Sequence, residues 1–425
     1  MVAAPAPRGL RLPPLPLSPG PPYHRGIARC ATLAAVILAL LAGPAWAGEP
    51  QVQTYVDGLD FPTNMAFAPD GRLFFTEKNT GRVRIVRDGR VLETPFTQVP
   101  ATSEAESGLL GLALHPGFPD EPWVYLYYSS RRNDHNMLVR VRAEGDRGGE
   151  TQPLLRALPV SPYHDGGDMA FGTDGNLYLV VGEAHEPPRA QDPDDLGGKV
   201  LRLEPDGSAP ADNPIAPGNP VFSMGHRNSF GLCVDPESGA VWETENGPSE
   251  HDEVNLILPG GNYGWPEALG AAGDERFVDP AIDFPEIVVP TGCAFYPYPH
   301  LGQGSENALF FGDFDGTLHR ARLNDQRTGV ARHAPYLEEV GGITDVAVGP
   351  DERLYVATTD RILRLPEALP EPAPTTPAPG PSPSPASTPS EPEADGGFPW
   401  GYIAAVAGGA ALGVWALRRL RSSAA

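Results

Sequence analysis

Six times along the chain, a turn is followed by a short run of apolar and aromatic residues in strand-like alternation. The runs are Leu73-Phe74-Phe75 after Asp70-Gly71-Arg72, Val124-Tyr125-Leu126 after Pro122-Trp123, and Leu177-Tyr178-Leu179 after Asp174-Gly175-Asn176. They continue as Val241-Trp242 after Ser238-Gly239-Ala240, Leu309-Phe310-Phe311 after Glu306-Asn307-Ala308, and Leu354-Tyr355-Val356 after Asp351-Glu352-Arg353. Asp-Gly tolerates positive φ in a tight turn, and the β-branched and aromatic residues after it fit a half-buried strand. Positions 73, 124, 177, 241, 309 and 354 are spaced by 51, 53, 64, 68 and 45 residues. A second alternating segment often follows, as at residues 81–86 and 198–203. Long patterns of period 3.6 are absent. Six similar units, each of about four strands, predict an all-β fold, a six-bladed β-propeller. The early strand near residues 52–56 is expected to complete the last blade and so remove the open sheet edges. A β-sandwich with insertions does not explain six similar units.

The two ends follow other patterns. Residues 1–47 read as a signal peptide: Arg25 and Arg29, then the apolar run 31–43, then Ala45-Trp46-Ala47 as a cleavage site. Residues 366–395 hold 11 prolines in 30 positions, which predicts a disordered stalk over 366–397. Residues 398–417 run 20 positions without a charge, about 30 Å of helix and long enough for one C-terminal transmembrane helix. Trp400, Tyr402 and Trp415 suit its interfaces, and Arg418, Arg419 and Arg421 begin a basic cytoplasmic tail, 418–425. Gly396-Gly397, span and basic cluster also resemble a tripartite sorting tail, so a permanent anchor and a cleaved signal both stay open. The expected localisation is an exported propeller, residues 48–365, anchored to the membrane by the C-terminal helix and lying outside the cytoplasm. Cys233 and Cys293 are the cysteines of that domain, and the compartment permits either a disulfide or two free thiols.

Charge sharpens this division. The formal charge is −23, and the seven arginines of the two ends have no acid among them, so residues 48–417 carry −30. That excludes a basic face for a phosphate backbone, and no nucleic acid is expected as a partner.

Three polar segments stand out on this scaffold, where loops carry function. In Tyr163-His164-Asp165-Gly166-Gly167, an imidazole before paired glycines can act as a base beside a ligand. Glu183, at the end of a strand of the same blade, can hold that imidazole in one tautomer. Gly225-His226-Arg227-Asn228 offers Arg and Asn to a planar, carboxylated or carbonyl-rich ligand. Residues 245–256 are acidic and turn-rich, and suit a hard oxygen-liganded ion such as Ca²⁺.

Residues 58–365 resemble the glucose/sorbosone dehydrogenase family, the soluble PQQ-dependent aldose sugar dehydrogenases. The resemblance rests on Gly58-Leu59 with Met65-Ala66-Phe67, the segment 107–116, the His164–Gly167 motif, Ala190-Gln191-Asp192 with Gly198-Lys199, residues 225–228 and 245–255, and Asn262-Tyr263-Gly264-Trp265-Pro266. It implies a six-bladed propeller and oxidation of an aldose at the anomeric carbon to the lactone, by hydride transfer to a Ca²⁺-bound quinone. It implies His164 as the base and Glu183, where the family usually has Asp, as its orienting carboxylate. Arg227 and Asn228 are implied to contact the quinone, with Glu106 as a further cofactor-binding candidate. The main-chain oxygens of Gly247 and Pro248 are implied to hold Ca²⁺, and Glu253 with the Tyr263 carbonyl a second Ca²⁺. The implied partners are a small-molecule sugar and an unknown electron acceptor. The sequence departs from the family where basic PQQ anchors are usual: Asp313 and Asp315 stand in the segment 312–316, and no base lies in 343–347. An acid there is expected to oppose an anionic cofactor. The alternative reading is therefore a non-catalytic, Ca²⁺-stabilised propeller that binds sugar or protein and has lost PQQ.

Overall fold

The computed structural model describes residues 52–367 except residue 133. The segments read as signal peptide, span and tail, and all of the stalk but Pro366 and Glu367, lie outside the described residues. Among the described residues, no helix is long and apolar enough to cross a membrane.

The described chain forms six antiparallel sheets in sequence order, each the blade of a propeller. The first strands of the blades are Met65–Phe67, Leu109–Leu114, Gly166–Phe171, Ser229–Val234, Pro290–Tyr296 and Ile343–Val348. Each packs against the first strands of the blades before and after it, the sixth against the first, so the six enclose a central axis. The last blade takes its outer strand from the other end of the domain: Gln53–Asp57 pairs antiparallel with Arg361–Arg364. Blade number and ring closure thus match the expectation. The first blade departs from four strands, because Thr97–Gln98 adds a further pairing to Arg82–Arg87.

All six sequence markers fall in the second strand of a blade: Leu73–Glu77, Trp123–Ser129, Leu177–Val181, Val241–Glu245, Ala308–Asp313 and Leu354–Thr358. Every residue of these strands except the half-buried Trp123 is buried. The cause is alternation between two covered faces. Phe74 packs with Phe96 of its own blade and with Leu109 and Val124 of the second, whereas Leu73 and Phe75 pack with Tyr355, Ala357 and Ile362 of the sixth. Among the described residues, the buried apolar side chains form six clusters, one at each junction between blades. At the junction of the fourth and fifth blades, a disulfide joins Cys233 to Cys293, with Cα atoms 5.7 Å apart.

Polar side chains bind the inner edges together. Asp168 accepts from Asn64 Nδ2 and from the Leu232 N–H, both at 2.6 Å, and Asn64 Oδ1 accepts from the Leu112 N–H at 3.0 Å. Asp345 accepts from the Met65 N–H at 2.6 Å, and Thr244 Oγ1 donates to the Thr291 carbonyl at 2.8 Å. In five blades, the pairing of first and second strands breaks register near its start, for example between Leu109 and Gly111 and between Ser229 and Gly231. Such bulges bend a strand and re-aim what precedes it. Gly111 is required there, since a Cβ would lie 1.9 Å from the Gly167 carbonyl oxygen of the next blade.

Asp168 and Asp345 are buried, and burial raises both carboxyls above the ordinary range; the charge of Asp168 raises Asp345 further. A raised folded-state pKa means that the folded ring holds protons the unfolded chain releases, so this contribution is present at low pH and lost as pH rises. Asp345→Asn keeps an acceptor for Met65 and removes the charge. It is expected to raise Tm at pH 8 and leave it nearly unchanged near pH 3, below the titration of an unfolded carboxyl, as read by calorimetry; an equal shift at both pH values contradicts the assignment.

Candidate active site

The loops that enter the first strands and those that leave the second strands lie at one end of the ring. That topology alone collects Glu106, His164, Glu183, Arg227, Asn228, Gly247 and Pro248 at one end.

His164 has φ +64, a left-handed backbone for a non-glycine residue, one residue before Gly166 at +66 and Gly167 at +119. Several contacts hold it there. Its N–H donates to Glu106 Oε2 at 2.8 Å, and the same oxygen accepts from Asn228 Nδ2 at 3.1 Å. Asn228 Oδ1 in turn accepts from the Gly166 N–H at 3.3 Å. The next residue, Asp165, is buried beneath the loop and accepts from Ser107 Oγ, Ser129 Oγ, Asn136 Nδ2 and the Ser161 N–H at 2.7–3.1 Å. Burial raises the Asp165 carboxyl and these four donors pull it back down.

The imidazole of His164 is gripped at both nitrogens. Nδ1 makes a short contact with Oε1 of the buried Glu183. Nε2 lies 2.9 Å from Arg227 Nη2. A guanidinium has donors only, so Nε2 is the acceptor and the ring proton sits on Nδ1, donated to Glu183. His164 is therefore neutral, with its basic lone pair on the nitrogen that Arg227 touches.

Arg227 links this base to the next loop. Its Nη1 donates to the carbonyls of Asn246 at 2.8 Å and Gly247 at 3.0 Å. Its guanidinium lies 5.4 Å from the centre of the Trp265 ring. Burial lowers the guanidinium from its ordinary value, and Glu183, Glu245, Glu106 and Asp252 oppose that. The Gly247 N–H is anchored on Asp252 Oδ1 at 2.7 Å, and Asp252 Oδ2 accepts from the Val288 and Val289 N–H groups.

A family model described as Glucose / Sorbosone dehydrogenase matches residues 59–365. The chain belongs to the glucose/sorbosone dehydrogenase family. It is 32% identical to an aldose sugar dehydrogenase of Escherichia coli over 357 residues, 76% of this chain and 95% of that protein. It is also 32% identical to quinoprotein glucose dehydrogenase B of Acinetobacter calcoaceticus, over 52% of this chain and 53% of that one. Among solved structures, the PQQ-bound form of an aldose sugar dehydrogenase from Streptomyces coelicolor is 33% identical, with a TM-score of 0.67 over 74% of this chain and 97% of that chain.

Glucose/sorbosone dehydrogenase membership gives the expected site residues a common setting, and the structure sorts them. His164, Glu183, Arg227, Asn228, Glu106 and Gly247 form one connected group. Glu253 and Tyr263 border a neighbouring one: Glu253 accepts from Asn255 Nδ2 and the Gly270 N–H, and the Tyr263 ring stacks on His226 at 4.6 Å. Asp313, one of the two acids of the segment 312–316, is buried; its carboxylate accepts from the Gly316 and Thr317 N–H groups at 2.8 Å and contacts His319 Nε2 at 2.9 Å. It closes its own turn. Arg320 and Arg322, the arginines of the same blade's third strand, lie against Gln303 and Gly304, in the loop at the opposite end of the blade.

Two residues that sequence reasoning passed over belong to the site. His185, at φ +57, meets the His164 ring edge-on at 4.3 Å and stacks on Tyr163 at 5.5 Å. Burial lowers its pKa. Lys78 donates to the Ala105 carbonyl at 2.7 Å beside Glu106, and burial lowers its pKa. The segment Glu183-Ala184-His185 and the rarity of lysine were the available signals.

The tautomer is directly testable. Nitrogen-15 histidine NMR at pH 7 should show His164 protonated at Nδ1 with a type-β acceptor at Nε2, and Glu183→Gln should erode that preference. An Nε2-protonated His164 in the unaltered protein contradicts the assigned contacts.

Proposed function

We propose that the chain is an oxidoreductase that oxidises an aldose at the anomeric carbon to the lactone, with His164 as general base and a Ca²⁺-associated PQQ as hydride acceptor. The observation that carries this reading is the oriented base: a neutral imidazole with Nδ1–H on a buried carboxylate and its lone pair turned toward an Arg–carbonyl cluster. The residues present suit such a cofactor. Arg227 Nε is buried without a hydrogen-bond partner, a donor left over for a ligand's carbonyl or carboxylate oxygen. The Gly247 carbonyl already accepts from a cation. Arg227, Asn228 and Glu106 would hold the quinone, and the carbonyls of Gly247 and Pro248 its Ca²⁺; the quinone, when bound, supplies a two-electron acceptor.

The chain's own residues do the rest. His164 Nε2 takes the proton of the anomeric hydroxyl, and Arg227 must yield that nitrogen to the sugar. Glu183 stabilises the imidazolium that forms, and Glu106 keeps the His164 backbone in its left-handed conformation. Trp265, on Arg227, and His185, on His164, shield both groups from water. Glu253 and the Tyr263 carbonyl are proposed to hold a second, structural Ca²⁺. We further propose that the propeller is exported and held at the outer membrane surface by residues 398–417; the Cys233–Cys293 disulfide supports an oxidising compartment.

Incubation of the purified protein with Ca²⁺ and PQQ should retain the quinone through desalting and reduce an artificial dye with an aldose. His164→Ala should retain PQQ and lower turnover about 10²–10⁴-fold, the range for a lost general base. No retained PQQ and no dye reduction with any aldose would sink the reading. Separately, EGTA should lower Tm by ligand linkage, and an unchanged melting curve removes the calcium sites.

A further inference from the structure

Beside the base, a second group of ionisable residues is sealed inside the fourth blade. Glu243 and Glu245 are two apart on the strand Val241–Glu245, so both carboxylates leave the same face. On the neighbouring strand Asp252–Ile257, Asn255 stands opposite Glu243 and Glu253 opposite Glu245. Like charges directly opposite on a ladder repel. All four residues are buried, Glu243 and Asn255 with no exposed surface. Facing them is His226, 2% exposed, with Nδ1 3.0 Å from Glu243 Oε2 and 3.1 Å from Glu245 Oε2. Its other nitrogen is fixed on Ser223 Oγ at 2.8 Å.

The group holds too many acceptors for its donors. One Nδ1–H faces two carboxylates, and a third carboxylate lies beyond. Glu243 Oε1 and Asn255 Oδ1 are both fully buried without a hydrogen-bond partner. Buried acceptors in that state are costly unless something satisfies them. A cation does so, and the three side chains already lie within coordinating reach, one ligand atom from each within 4.8 Å of the others. Ligand atoms about 2.1 Å from a common ion stand roughly 3.0–3.4 Å apart, which is the spacing His226 keeps to its two carboxylates. The Ser223 contact to Nε2 is the outer support that orients a histidine ligand.

We propose that His226, Glu243 and Glu245 bind one divalent transition-metal ion of the Zn²⁺ or Mn²⁺ type through His226 Nδ1 and one oxygen from each carboxylate. A nitrogen ligand disfavours Ca²⁺, which takes oxygen. Its ligands differ from the proposed calcium ligands Gly247, Pro248, Glu253 and Tyr263, of which Glu253 and Tyr263 adjoin it, and it is independent of the dehydrogenase reading. Its role is structural: the ion ties the entry loop carrying Arg227 to the second strand of the fourth blade, where Glu245 Oε1 also accepts the Arg227 N–H.

The test uses the untagged full-length chain, stripped with chelator, saturated with Ca²⁺ and free of PQQ. Titration with ZnCl₂ and MnCl₂ in a calorimeter should show one equivalent of at least one of the two ions, with a matching rise in Tm. Glu243→Leu should lose that equivalent while still binding Ca²⁺; if it does not fold, Glu243→Gln makes the comparison, with at least a tenfold loss of affinity expected. No equivalent of either ion in the unaltered chain overturns the proposal. So does an equivalent that the Glu243 variant keeps, which would belong to surface histidines. A Tm that rises on acidification and not with metal overturns it as well, by assigning the excess charge to a proton.

Discussion

Every blade presents its first strand edge-on to the axis, with N–H and C=O groups that no further strand can pair. The rest of the structure depends on how those edges are satisfied. A sheet edge buried without partners is costly. Here short polar side chains answer it: Asp168 takes Leu232, Asn64 takes Leu112, Asp345 takes Met65, and Thr244 serves Thr291. Each of these bonds crosses from one blade to another. The same bonds that satisfy the edges therefore set the spacing of the blades, and with it the positions of the loops at the end of the ring. His164 and Arg227 come from loops entering different blades, and their 2.9 Å contact exists only because the inner edges fix that spacing.

The blades were legible in the sequence for a physical reason. Second strands are covered on both faces, so they read as unbroken apolar runs, and a run such as Leu309-Phe310-Phe311 is hard to miss. Outer strands were not legible in the same way: Arg147–Leu158 is mostly exposed or half-buried and looks like polar loop. Within the site, residues in compact motifs were visible, because His164 beside paired glycines advertises a tight backbone. Pairing between separate loops was not. Nothing in the local pattern says that His185 returns to touch His164. Whether Cys233 meets Cys293 was equally open, since sixty residues separate them and only the junction of two blades brings them together. The buried Glu243 looked like one more acid in an acidic chain.

Arg227 shows how few charges organise the site. One guanidinium reads the protonation of His164, holds two carbonyls of the neighbouring loop, and leaves one donor over. The carboxylates around it, Glu106, Glu183, Glu245 and Asp252, keep it charged despite burial. In a chain with a surplus of acids, the arrangement needs no basic surface. It needs only that the acids near the site be engaged, which is what the backbone donors to Asp252 and Asp313 and the side-chain donors to Asp165 accomplish.

Ring closure also imposes an order on biosynthesis. The strand Gln53–Asp57 is made first and its partner Arg361–Arg364 last. About 300 residues lie between them, roughly 15–60 s of chain elongation at 5–20 residues per second. Through that interval the apolar faces of Leu73 and Phe75 have no sixth blade to cover them. The emerging chain therefore passes through an open, sticky arc before it becomes a ring, and its yield in a cell depends on what shields that seam until the final strand arrives.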